Sequence, residues 1–325
     1  MKAIVQDTYG SPDVLQLREI DKPVVGEDEV LVRVQAAGVD QCVWHSVAGL
    51  PYLFRIAGIG VRAPKNPVPG LDVAGRVEAV GGSVTLFQPG DEVFGTCRGS
   101  FAEYASARAD RLGPKPAKLS FEQAAAVPTS GATALHAVRD KGKVRPGQRV
   151  LVIGAGGGVG TFAVQLAKAF GAEVSGVCST TKVELVRAIG ADHVIDYTRE
   201  DFADGRNRYD VILDIAGNRS LSHLRRALAP EGRLVIVGGE GGGKWFGGID
   251  RQLRAEVVSL FVRQKLGTLI ATARKEDLEE LRGLVEAGRV TPVVDRTFPL
   301  REVPAAIRYV HEGHARGKVV VTIVT

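Results

Sequence analysis

The sequence predicts an α/β chain in which a doubly wound parallel sheet is inserted into a β-rich domain. Over the first hundred or so residues, short alternating apolar runs such as 30–34 and 73–80 are broken by Gly, Pro and Asp, the pattern of half-buried strands. From about residue 122, helical stretches alternate with short continuous apolar strands, the rhythm of βαβ units and a parallel sheet. The tail, 318–324, is strand material again, and a tail that returns to the first domain leaves the parallel sheet as an insert.

Each element follows from local pattern. In the first domain strands are expected at 30–34, 73–80, 92–94 and 101–104, with Pro64, Pro67, Pro69 and Gly70 marking an irregular loop. In the second they are expected at 150–153, 173–177, 193–195, 211–213 and 234–237. Between the first two of these, Val159, Ala163, Leu166, Ala167 and Phe170 recur at helical spacing, and Gly171 stands where a C-terminal cap belongs. Leu185, Val186 and Ile189 repeat the pattern before Gly190. The boundaries read from this are 1–121 with 266–325 for the β-rich domain and 122–265 for the parallel sheet.

Composition narrows the function. The chain has 325 residues, 45% hydrophobic and 24% charged, with 42 basic against 37 acidic side chains and a formal charge of +5 at pH 7. That length suits two domains. Basic and acidic residues are interleaved, as in Arg199-Glu200-Asp201, so a small anionic ligand is expected and a nucleic-acid partner is not. An acidic residue arrives as early as Asp7, and no apolar stretch approaches the roughly 20 residues of a membrane span. Cys42, Cys97 and Cys178 are too scattered for a disulfide framework or a cysteine zinc site, which points to the cytoplasm.

The sharpest motif is Gly154-Ala155-Gly156-Gly157-Gly158-Val159-Gly160, set between the strand 150–153 and the amphipathic helix. Ala155, Gly157 and Gly160 fit the three fingerprint positions of a Rossmann dinucleotide site. Small residues there allow a tight turn and close approach to a pyrophosphate at the helix N-terminus. Gly158, Val159 and Gly238, the last at the end of the fifth strand, complete the expected backbone contacts. The second strand ends Val177-Cys178-Ser179-Thr180-Thr181-Lys182 without the carboxylate that NAD specificity requires. Hydroxyls and a lysine suit a 2′-phosphate, so the expected cofactor is NADP(H); the alternative is a solvated Lys182 opening a helix.

At this point the chain resembles a zinc-independent medium-chain dehydrogenase/reductase of the quinone-oxidoreductase-like branch. The resemblance rests on Pro69-Gly70-Leu71-Asp72-Val73-Ala74-Gly75, Gly90-Asp91-Glu92-Val93-Phe94-Gly95, Gly99-Ser100-Phe101-Ala102-Glu103-Tyr104, Val127-Pro128-Thr129-Ser130-Gly131-Ala132-Thr133-Ala134, the glycine loop and Ala191-Asp192-His193-Val194-Ile195-Asp196-Tyr197. It implies a GroES-like (chaperonin-10-like) catalytic domain made from both ends of the chain, a Rossmann domain between them in sequence, and a homodimer. It also implies that Ser179, Lys182 and Tyr197 surround the 2′-phosphate.

Aligned by those motifs, two zinc ligands of the metal-dependent relatives fall on Asp40 and Leu71, and Cys42 lies two residues out of register. Leucine cannot ligate a metal, so no zinc is expected. Without a Lewis acid, the easiest hydride acceptors delocalise the developing negative charge, as quinones and enones do. Asp40, Tyr52 and Thr129 are the candidate catalytic residues. Asp40 stands where zinc-free relatives carry an asparagine, Thr129 lies in the motif beside the nicotinamide, and Tyr52 either faces substrate or packs on the loop that follows it. His45 is either a proton donor or a packed side chain, and His193 is structural. The segment 238–248 is either a lid carrying Trp245 and Phe246 or a surface loop. The expected activity is NADPH-dependent reduction of quinones, enones or related carbonyls. The alternatives are a zinc-free NADP-dependent alcohol dehydrogenase and a non-catalytic NADPH sensor.

Overall fold

A computed structural model of the chain describes residues 1–239 and 243–323. In chain order the strands are β1 (Lys2–Val5), β2 (Gln16–Glu19), β3 (Glu29–Val39), β4 (Asp72–Val80), β5 (Glu92–Thr96), β6 (Tyr104–Arg108), β7 (Leu112–Pro114) and β8 (Arg149–Ile153). They continue as β9 (Glu173–Cys178), β10 (His193–Asp196), β11 (Tyr209–Asp214), β12 (Leu228–Ile236), β13 (Lys265–Thr268), β14 (Val294–Pro299) and β15 (Lys318–Thr322). The helices used below are α1 (Gln41–Ala48), α2 (Phe121–Ala125), α3 (Pro128–Leu135), α4 (Gly158–Ala169), α5 (Val183–Ala188) and α6 (Ile249–Ser259).

Two compact units emerge. The first comprises Met1–Ala132, Thr272–Gly288 and the chain from Pro292 onward; the second comprises Thr133–Ala271 with Arg289–Thr291. The first unit is built on a sheet in the order β14-β15-β3-β4-β5-β7, with β6 also paired to β3. The tail strand β15 runs antiparallel to β3, so the second unit is inserted between the two ends of the first. Val30, Val32, Val34, Val73 and Val93 lie in the core of this sheet with no exposed surface. Each such side chain contributes about 1.5–3 kcal/mol by leaving water.

The second unit is an all-parallel sheet in the order β10-β9-β8-β11-β12-β13. Its strands read as unbroken apolar runs because both faces are covered. Leu151, Ile212 and Leu213 are fully buried. The strand order reverses between β8 and β11, which opens a ligand crevice at the carboxyl ends of those two strands.

Four expectations change. Residues 101–104 form only an isolated antiparallel bridge, Ala102 with Ala3 of β1, where Ile4 N–H donates to the Phe101 carbonyl and Glu103 N–H to the Lys2 carbonyl; Phe101 N–H turns to the Pro69 carbonyl, and β6 begins at Tyr104. The parallel sheet has a sixth strand, β13, beyond the five expected, and its unit runs to Ala271 where the sequence boundary was 265. Lys265-Leu266-Gly267-Thr268 carries one large apolar residue, Leu266, and lacks the run that marks the other strands. At the other boundary, α2 packs on β3 and β4, so the first unit extends past 121 to Ala132. Of the tail run 318–324, β15 ends at Thr322, and Val324 lies outside the described residues.

Candidate functional site

In the second unit the glycine loop follows β8. Gly154 holds φ +88°, a left-handed conformation that favours glycine. A Cβ on Gly160 would lie 2.0 Å from the Gly154 carbonyl oxygen and 2.8 Å from Ala155 backbone atoms. The loop therefore closes on the first turn of α4 only with hydrogen at that position. A Cβ on Gly157 would have the Gly154 oxygen at 3.5 Å as its nearest neighbour, an ordinary contact, so a methyl fits there without a clash. Gly157 is the N-cap of α4 and offers no side chain of its own. The unsatisfied N–H groups of Gly158, Val159 and Gly160 at that helix start suit a pyrophosphate.

Ser179, Lys182 and Tyr197 come together at the ends of β9 and β10. Asp196 pairs in register with Cys178, so Tyr197 is next to Ser179, and Tyr197 N–H donates to the Cys178 carbonyl at 3.1 Å. Lys182 N–H donates to the Ser179 carbonyl at 2.9 Å. The Lys182 stem crosses the glycine loop, with its Cβ and Cδ 2.9 Å from where a Gly156 Cβ would stand. Tyr197 is 48% exposed, with the Arg219 guanidinium 5.6 Å from its ring centroid. The neighbouring carboxylate, Asp196, is engaged by the Thr180 hydroxyl at 2.5 Å and by the Thr198 hydroxyl and N–H at 2.8 and 3.0 Å. These bonds hold Asp196 below its ordinary value, the Thr180 bond contributing most.

Gly238 closes the other wall of the crevice. Its N–H donates to the Asp214 carbonyl at 3.1 Å, and a Cβ there would be 2.0 Å from the Ile215 oxygen. Sequence reasoning missed the latch behind it. Fully buried Asp214 accepts from Gly217 N–H (3.1 Å) and from Arg251 Nη1 (2.6 Å). Arg251, on α6, also donates to the carbonyls of Arg219 (2.8 Å) and Gly238 (3.2 Å). In the suggested lid, Glu240, Gly241 and Gly242 lie outside the described residues, while Trp245 and Phe246 are exposed. His193 Nε2 meets Glu173 Oε1 at 3.2 Å across the strand pair, on the exposed surface.

The first unit gathers Asp40 and Thr129 into a buried polar cluster. In the β15–β3 register Val319 pairs with Val39, so Lys318 is opposite Asp40; in the β3–β4 register Ala37 pairs with Val73, so Asp72 is opposite Gly38. Positions 38 and 40 share a face, and their partners share it with them. Gly38 makes room there, since a Cβ on it would lie 2.9 Å from Asp72 Oδ2. Asp40 occupies the N-cap of α1 but makes no side-chain cap bond. Its Oδ1 instead accepts from Lys318 Nζ and from the Ser130 hydroxyl at 2.7 Å. Lys318 Nζ also donates to Ser130 Oγ at 3.1 Å and lies 3.6 Å from Asp72 Oδ2. Thr129 donates twice to Asp72 Oδ1, through its hydroxyl at 2.5 Å and its N–H at 3.0 Å.

Lys318 is 1% exposed and Asp72 0%. Burial pushes Asp72 well above the carboxylate range, reinforced by the negative charge of Asp40. Burial pushes Asp40 the same way, but the Lys318 ammonium and hydrogen bonds from Asp72, Lys318 and Ser130 outweigh it and leave Asp40 below its ordinary value. Asp72, Ser130 and Lys318 were not singled out in the sequence. The signal was a lysine opening an otherwise apolar strand, Lys318-Val319-Val320-Val321.

Tyr52 is placed differently. The Arg55 guanidinium lies 4.8 Å from its ring centroid and 4.3 Å from that of Tyr9. Arg55 also bonds the carbonyls of Gly49 and Ala48, at 2.7 and 3.3 Å, at the end of α1. His45 is tied to the Leu50 carbonyl at 2.9 Å and packs edge-on against Trp44. Leu71 lines a cavity of about 480 Å³ with Val43, Ile59 and Val68, and the polar side chains of Ser46, Lys65 and Arg98 line it too. Among the described residues no group of His, Cys, Asp and Glu is placed to hold a metal ion.

Comparison with known proteins bears on both units. Residues 26–117 match the alcohol dehydrogenase GroES-like domain, and residues 189–321 match a domain described as a zinc-binding dehydrogenase. The chain is 34% identical to the chloroplastic NADPH-dependent alkenal/one oxidoreductase of Arabidopsis thaliana, over 99% of this chain and 79% of that protein. It is 31% identical to the quinone oxidoreductase of Homo sapiens, over 99% of this chain and 98% of that one. Among solved structures, the quinone oxidoreductase from Coxiella burnetii superposes with a TM-score of 0.88 at 29% identity, covering 100% of this chain and 99% of that one. The chain belongs to the medium-chain dehydrogenase/reductase family, in its quinone-oxidoreductase-like branch, and is an NAD(P)H-dependent oxidoreductase.

Proposed function

We propose that the protein is an NADPH-dependent, zinc-independent reductase of quinones, enones or related conjugated carbonyl compounds. The observation that carries the cofactor choice is the turn after β9, where Ser179, Lys182 and Tyr197 converge without a free carboxylate and Lys182 lies across the glycine loop. The glycine loop takes the pyrophosphate, and Gly238 with the Asp214–Arg251 latch fixes the turn after β11. NADPH supplies the hydride. The chain's own residues bind and orient it, and Thr129 offers a hydroxyl to the reacting groups. At the metal-ligand positions of zinc relatives stand Leu71, in a cavity wall, and Asp40, already paired with an ammonium. The cavity at Leu71, with its mixed apolar and polar lining, suits an acceptor that carries both an apolar body and polar oxygen atoms.

Lys182→Ala is the direct test. A charge-assisted contact to phosphate is worth roughly 1.5–3 kcal/mol, so NADPH affinity should fall about 10- to 100-fold while NADH affinity stays nearly constant. Equal loss for both cofactors would refute the assignment. Turnover with NADPH should appear across a panel of quinones and enones; activity confined to simple alcohols with added zinc favours an alcohol dehydrogenase. Tight NADPH binding with no acceptor reduced favours a sensor.

We also propose a homodimer, in a reducing, cytoplasmic setting that suits three free cysteines. Leu253, Val257, Leu260 and Phe261 expose an apolar face on and just beyond α6, beside the edge strand β13. An exposed apolar face next to an open strand edge suits isologous pairing. Phe261→Glu is expected to convert the dimer to monomer in sedimentation analysis; an unchanged mass would exclude this face.

A further inference from the structure

We propose that Asp40 and Asp72 hold a single proton between them beside a charged Lys318, and that this buried proton, passed through the Thr129 hydroxyl, completes reduction of the acceptor. The inference deepens the reductase reading and rests on it for the delivery step. Counted as ionised carboxylates, both pair members have an orphan: Asp40 Oδ2 and Asp72 Oδ2 are buried and have no donor. Both carboxyl groups lie against the same Lys318 Nζ, which bonds Asp40 Oδ1 and is 3.6 Å from Asp72 Oδ2, so one proton held between them answers both vacancies. Charge agrees with this count. Two carboxylates and one ammonium would leave a net negative charge in a buried site, and one proton makes the cluster neutral. The other titratable groups facing it are thiols. Burial and the nearby carboxyl groups push both Cys42 and Cys97 up, so they stay uncharged.

The cluster has a defined way in and out. Asp72 and Ser130 are fully enclosed, whereas Thr129 is half-buried and the Asp40 side chain is 11% exposed. The Thr129 hydroxyl is hydrogen-bonded to Asp72 Oδ1, which joins the enclosed carboxyl to a half-buried side chain. Hydride addition brings two electrons to the acceptor and leaves an anion on it. The Thr129 hydroxyl, which in the resting protein donates to Asp72 Oδ1, turns to the acceptor; its O–H bond breaks as the new C–H or O–H bond forms there, and the Asp72 carboxyl turns to give its proton to the Thr129 oxygen. Two carboxylates remain beside Lys318 until one proton returns from water through Asp40. No electrons move in these proton steps.

Two measurements test it. The infrared spectrum of the protein at mildly alkaline pH should carry the carbonyl band of a protonated carboxylic acid, and Asp72→Asn and Asp40→Asn should each remove it. Asp72→Asn should lower kcat about 100-fold and abolish the alkaline limb of its pH profile while NADPH affinity is retained. Thr129→Val should lower kcat comparably but keep the band, which covers the case in which Asp72→Asn does not fold. No such band in the wild-type protein overturns the shared proton. A band, with kcat and alkaline limb unchanged in Asp72→Asn or Thr129→Val, overturns the delivery. Failure of the reductase reading shows differently: the wild-type protein reduces no acceptor, and the infrared test still stands.

Discussion

Lys318→Met is expected to destabilise the protein by about 3–5 kcal/mol, because removing one partner of a buried ion pair leaves the other charge uncompensated. In a domain of this size that corresponds to a fall in Tm of about 10 °C. The methionine matches the stem in volume, so the loss is electrostatic in origin. The cluster it leaves is Asp40, with 11% of its side chain exposed, and Asp72, with none. The sign of the pH dependence follows. In the wild-type protein Asp40 is held below its ordinary value, so its contribution is present above the carboxylate range and lost as pH falls through the depressed value. Lys318 is held above its ordinary value, since the charges of Asp40 and Asp72 outweigh the opposing effect of burial. Its contribution is complete below the ordinary lysine value and lost as pH rises through the raised one. Without the ammonium, Asp40 joins Asp72 in being raised by burial, and a raised carboxyl loses stability as pH rises. The deficit of Lys318→Met should therefore be smallest in acid and grow towards neutral pH. Adding Asp40→Asn should recover part of it, because the double variant removes the stranded charge. Thermal denaturation of the single and double variants across pH checks both statements. A Lys318→Met protein within about 1 kcal/mol of wild type at neutral pH would mean that the pair contributes no more than an exposed one.

The legibility of this cluster in the sequence was uneven. The glycine loop is readable because strand, turn and helix follow one another within a few residues, and each carries a local signature. The trio Ser179, Lys182 and Tyr197 is nearly as local, being the ends of two neighbouring parallel strands. Lys318, Asp40 and Asp72 are different. Their meeting depends on two strand registers, β15 against β3 and β3 against β4, which join residues 278 apart in the case of the Asp40–Lys318 bond. Nothing in the local pattern fixes a register of that reach. Asp40 itself reads locally as an N-cap, and its carboxylate is drawn away from that role by Lys318 and Ser130. Strand β13 was missed for the complementary reason, since it is held by its neighbour β12 and by Leu266 more than by its own composition.

Gly160→Ala and Gly157→Ala should separate the two duties of the glycine loop. At position 160 the added methyl would stand 2.0 Å from the Gly154 oxygen, and both neighbours it meets are backbone. Neither can rotate away, so the loop must part from α4. Overpacking of this kind costs roughly 1–3 kcal/mol of stability. The same displacement carries the helix start away from the pyrophosphate, and NADPH affinity should fall by about 100-fold or more for a loss near 3 kcal/mol. At position 157 the outcome should differ. Gly157 has φ −97° and ψ 179°, which alanine adopts without strain, and the nearest atom to its Cβ would be 3.5 Å away. Gly157→Ala should therefore melt within about 0.5 kcal/mol of wild type, as a substitution that meets no neighbour does. On the proposed binding mode the pyrophosphate takes the space that methyl fills, so NADPH affinity should still fall. Melting curves and NADPH titration on the two proteins decide the matter. If Gly157→Ala binds NADPH as tightly as wild type, the ligand does not approach the loop there. If Gly160→Ala keeps both stability and affinity, the close approach of loop and helix is not what the site requires.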